Sequence, residues 1–91
     1  MHDWTLLSVL FGWKTGEVTL LFKGHESEHS VIAKGVVDLH VPQVNDWGPS
    51  VSVNHVSGPV PTTSGLQTIE IEMQSGDVIR IVAASFQMPL S

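Results

Sequence analysis

The sequence predicts an all-β domain: six or seven antiparallel strands in a small sandwich or partly open barrel, built around two glycine-turn hairpins. Three observations carry this. Leu66, Ile69, Ile71 and Met73 lead into Ser75-Gly76-Asp77, and the chain returns as Val78-Ile79-Arg80-Ile81-Val82, an apolar alternation folded about a glycine turn. A second alternation, Trp4 to Trp13 and then Val18 to Lys23, flanks Lys14-Thr15-Gly16-Glu17. Valine, isoleucine and threonine are abundant and alanine is scarce, a bias toward pleated, half-buried surfaces.

The elements follow in order. Trp4 to Trp13 reads as a strand with Leu7, Val9, Phe11 and Trp13 on one face and Leu6, Ser8, Leu10 and Gly12 on the other. If Lys14 opposes Glu17, then Val18, Leu20 and Phe22 meet Trp13, Phe11 and Val9, which places Trp13 in the core. Leu10 and Leu21 share the opposite face, where a second layer, a barrel interior edge or a partner is expected. Gly24 to Ser30 is a polar loop whose ends extend the neighbouring strands. From Val31 to Val41, Gly35 and the alternation of Val37, Leu39 and Val41 favour two short strands, or one strand bent at Lys34-Gly35, over a helix.

Pro42 to Pro49 is a connection containing Trp47, and Ser50 to Val56 alternates as a further strand. Ser57 to Gly65, rich in proline, serine and threonine, reads as a loop or irregular edge. A three-residue Ser75-Gly76-Asp77 loop in the last hairpin sets Met73 against Ile79, Ile71 against Ile81 and Glu72 against Arg80. Ala83 to Phe86 continues the final strand toward Pro89. A single strongly curved sheet is the alternative to the sandwich or barrel, and connections this short leave no room for a βαβ crossover.

The 91 residues are read as one domain, 1–91. Nine acids oppose four scattered bases, Lys14, Lys23, Lys34 and Arg80, so nucleic acid is not an expected partner. No cysteine is present to form a disulfide or a thiolate metal site. Met1-His2-Asp3-Trp4 lacks a positive n-region, and no apolar run approaches the ~20 residues that span a bilayer. The expectation is a soluble cytoplasmic protein with no membrane partner and no cofactor.

Candidate chemistry is sparse. His25 and His29, with Glu26 and Glu28 between them, are the weak metal-ligand candidates, and His2, His40 or His55 would have to join them. The turn-rich context reads more simply as a solvated loop. Glu70 and Glu72 read as surface charges facing Arg80, and no nucleophile motif or phosphate-cradling loop is present, so no catalytic residue is assigned. Trp47 reads as a lid over the sheet or as an exposed anchor for a protein or a sugar ring, and Trp4 as a cap on the end of the core; these two are the candidate ligand or partner contacts.

His2-Asp3-Trp4-Thr5-Leu6-Leu7, Leu39-His40-Val41-Pro42 with Trp47-Gly48-Pro49-Ser50, and Ile69-Glu70-Ile71-Glu72-Met73-Gln74-Ser75-Gly76-Asp77 together resemble a group of small bacterial all-β proteins of uncharacterised function. The resemblance implies an independently folded domain and transfers no catalytic residue. The function expected is therefore a noncatalytic protein-interaction or structural domain, as a homodimer or with a protein partner. The alternative is a small-ligand or carbohydrate-binding module with a cleft near Trp47.

Overall fold

The computed structural model describes residues 4–42, 52–62 and 64–89. Among them run six strands: β1 (Thr5–Gly12), β2 (Glu17–Lys23), β3 (Glu28–His40), β4 (Val53–Pro61), β5 (Gln67–Met73) and β6 (Val78–Gln87). They form one antiparallel sheet in the order β1-β2-β3-β6-β5-β4, so two three-stranded meanders are joined edge to edge through β3 and β6. The sheet curls until its two edge strands touch at one point. There Thr5 bridges Ser52, and the Val53 N–H donates to the Trp4 carbonyl at 2.8 Å. The six strands make one continuous antiparallel sheet that is not closed into a true barrel.

The concave face holds the core. Val18, Leu20, Phe22, Val31 and Ala33 from the first meander meet Ile69, Ile71, Met73, Ile79, Ile81 and Ala83 from the second. Alternation at period two puts these residues on one face of their strands, and each large side chain fully buried there contributes roughly 1.5–3 kcal/mol.

β1 pairs antiparallel with β2 and β5 with β6, each in a register that differs by two residues from the one expected. In the latter, Ile71 pairs with Ile79 and Glu70 with Arg80, while Glu72 faces Val78. The loop is Gln74-Ser75-Gly76, closed by Met73 N–H donating to the Asp77 carbonyl at 2.8 Å. Gly76 lies at φ 98°, and a three-residue hairpin loop needs its left-handed residue in third place. That requirement shifts the loop one residue toward the N-terminus. Faces are preserved because a shift of two keeps the parity of every pair.

In the first hairpin, Gly12 opposes Glu17, Phe11 opposes Val18 and Val9 opposes Leu20, which leaves Trp13 in the turn and not in the core. Trp13 is 87% exposed. The expected faces of β1 are corrected as well. The register shifts between Leu6 and Ser8, so Leu7 is a bulge; Leu6 enters the core with Val9 and Phe11 packed beside it, while Leu7 and Leu10 face outward.

β3 is the single bent strand and not a pair of short ones. Its bend lies at Gly35, φ 65°, where a side chain would bring a Cβ within 2.9 Å of Ala84 Cβ on the neighbouring strand. Lys34 and Gly35 are both exposed, as are Ala84 and Ser85 beside them, so alternation resets on the two strands at one level and the sheet folds there. The strand expected at 50–56 is placed later. β4 runs from Val53 through Pro61, into the stretch read as loop, and its pairing with β5 is interrupted twice, between Val53 and His55 and between Ser57 and Val60. As an edge strand it needs hydrogen bonds on one side only, which is how it accommodates Pro59 and Pro61.

Candidate functional site

A hollow opens where the tip of the first hairpin meets the second half of β3. It encloses about 630 Å³. Phe11, Trp13, Val36, Val37, Asp38 and Leu39 line it together with Gly16. Each wall has a local cause. The first turn puts Trp13 beyond the last paired residue of β1, and its indole lies over Phe11 with ring centroids 4.7 Å apart at 31°. The Gly16 carbonyl accepts from the Val36 N–H at 2.9 Å, tying the hairpin tip to β3 just past its bend. Beyond Val36 the pairing with β6 slips by one residue, which bulges Val37 outward to 63% exposure. The result is an apolar surface with one carboxylate, Asp38, on its wall.

The sequence did not mark Trp13 or Val37 as contact residues. Signals for both were present: Trp13 adjoins the turn residues Lys14 to Gly16, and Val36-Val37 are consecutive apolar residues beside a glycine, a pattern in which one must leave the core face.

The expected candidates are dispersed. Trp47 and His2 lie outside the described residues. Trp4 is half-buried at the seam of the sheet, tilted against Phe22 at 6.2 Å and stacked on the His29 imidazole at 4.2 Å and 11°. A Cβ on Gly24 would stand 2.9 Å from Trp4 Nε1, so the loop closes tightly on the indole edge. Trp4 thus caps the core end and is packed on both sides. His29 pairs Nε2 with Ser27 Oγ at 3.1 Å, whereas His25 stands exposed in the turn. His40 and His55 are on β3 and β4, with β6 and β5 between them. Among the described residues, no three histidines or acids form a metal-binding group.

The outer face of β4, β5 and β6 carries the charges. Arg80 donates from Nε and one terminal nitrogen to Glu70 Oε2 at 3.1 and 3.0 Å, and Asn54 Nδ2 donates to Glu72 Oε1 at 2.7 Å. Both carboxylates are engaged in a surface network. With His55, Ser57 and Val78 they line a shallow hollow of about 180 Å³.

Comparison with protein-family models, curated protein sequences and solved structures gives no match to this chain.

Proposed function

We propose that this chain is a noncatalytic interaction domain and that the hollow between the first hairpin and β3 is its contact surface. The observation that supports it is the display of Trp13: a large aromatic ring, 87% exposed, held over Phe11 beside an outward Val37. Apolar area left in water forgoes about 25 cal/mol per Å² of stabilisation, and tryptophan surrounded by aliphatic side chains is the composition of binding hot spots. The second half of β3 forms one wall, so an extended segment laid along it could pair with its backbone while setting alternate side chains into the hollow. In this reading the curled sheet is a partly open barrel whose open end is the working end.

A second reading has one observation in its favour. An exposed indole with a carboxylate nearby, Trp13 and Asp38, is also a platform for a sugar ring. Selection of short random peptides against the native chain and against a Trp13→Ala/Val37→Ser variant separates the two. The expected result is a set of strand-forming peptides that bind the native chain only. If no such peptide emerges and neutral sugars shift the Trp13 indole resonance, the carbohydrate reading takes its place; if neither probe depends on these residues, the hollow is not a contact surface.

A further inference from the structure

β3 is covered by β2 along only part of its length. Their pairing ends at Val18 with Ala33, and one further bond, from Val36 to the Gly16 carbonyl, closes it. Past that point Asp38, Leu39 and His40 pair with β6 on one side, and among the described strands none lies on the other. This stretch of edge, uncovered among the described residues, borders the hollow, with Val37 63% and Val41 41% exposed at its two ends.

We propose that the occupant of this edge is a second copy of the same chain, paired antiparallel to itself about a two-fold axis at Leu39. The inference rests on the contact-surface reading above and names its partner. The outer face of this edge carries a carboxylate and an imidazole two residues apart, Asp38 and His40. In a two-fold antiparallel pair the numbers of opposed residues have a constant sum, and opposed residues point to the same face. Asp38 and His40 face outward, opposite Val82 and Arg80, whereas Leu39 faces inward opposite buried Ile81. The axis must therefore pass through a residue. An axis at Asp38 sets the two Asp38 carboxylates against each other, and one at His40 sets imidazole against imidazole and Asp38 against Pro42. Only the axis at Leu39 sets Asp38 of each copy against His40 of the other, twice by symmetry. It also sets Leu39 against Leu39, which faces inward on both copies. A carboxylate can accept a hydrogen bond from an imidazole N–H set opposite it, whereas two carboxylates set against each other repel.

The test is the association constant of the full chain, from light scattering and sedimentation over a concentration series. Four samples suffice: native, Asp38→Lys, His40→Asp, and an equimolar mixture of the two variants. The native chain is expected to dimerise. Asp38→Lys sets a cation against His40 and His40→Asp sets two carboxylates against each other, so each variant alone is expected to associate about tenfold more weakly. In the mixture each new charge meets its opposite on the other variant, and association is expected to recover. Circular dichroism of each variant checks that these exposed substitutions leave the fold intact. A native chain that stays monomeric at about millimolar concentration overturns the proposal. So does a dimer indifferent to both substitutions, or a mixture that fails to recover. None of these outcomes touches the peptide selection at Trp13, so the contact-surface reading stands or falls separately.

Discussion

Trp4 and Trp13 bracket the same strand and have opposite physical roles. Trp4 has Phe22 on one side, His29 stacked on another and Gly24 against its edge, and its own carbonyl accepts the bond that brings β4 to β1. Removing its ring would leave a void where the two edges of the sheet meet. Trp13 touches Phe11 and little else, so most of its area is in water in the folded and unfolded chain alike. Urea unfolding should register the contrast. Trp4→Ala is expected to cost about 2–3 kcal/mol, at or below the lower end for a buried aromatic because the ring is half-buried. Trp13→Ala is expected to stay within about 0.5 kcal/mol of the native chain. A large loss at Trp13 would mean that the indole supports the fold and is not held out for a partner.

The strands are where sequence and structure part company, and the cause is bulges. Alternation made the existence of β1, β2, β5 and β6 legible, because a period of two with a glycine turn between apolar runs has few other solutions. Alternation says nothing about where an extra residue is inserted. One such residue, Leu7, inverted the expected faces of the start of β1; another, Val37, breaks the expected alternation of Val37, Leu39 and Val41 and becomes one wall of the hollow. Charge pairing favours the expected registers, but the left-handed residue of a short loop is the stronger constraint. Glu72 was the expected partner of Arg80, and Glu70 is the actual one. Double-mutant cycles read this directly. Glu70→Gln with Arg80→Gln should show a coupling of about 0.2–1 kcal/mol, modest because both side chains are about half exposed, and Glu72→Gln with Arg80→Gln should show none. Coupling to Glu72 and not Glu70 would restore the other register. The candidate site was less legible than the fold, since it depends on a bulge and a turn boundary, the two features that residue patterns specify least.

At the scale of the molecule the architecture is two local meanders and one long-range seam. β1-β2-β3 and β4-β5-β6 each pair neighbours in sequence, but β3 and β6 must find each other across the rest of the chain, and the bend at Gly35 and Ala84 must form on both strands for that pairing to continue. Hairpins close in microseconds, whereas long-range strand pairing carries the loop-closure cost first and gains contacts afterwards. The order of events should therefore be legible in rates. Ile79 pairs with Ile71 inside the last hairpin, close to its turn, while Leu39 pairs with Ile81 across the seam. Ile79→Val, at about 1 kcal/mol, is expected to act mainly by slowing folding. Leu39→Ala, at about 2 kcal/mol, is expected to act mainly by speeding unfolding, because its contacts form after the barrier. Stopped-flow chevrons of the two variants measure both arms. If Leu39→Ala instead slows folding by its full equilibrium cost, the seam is already built at the barrier and the meanders do not form ahead of it.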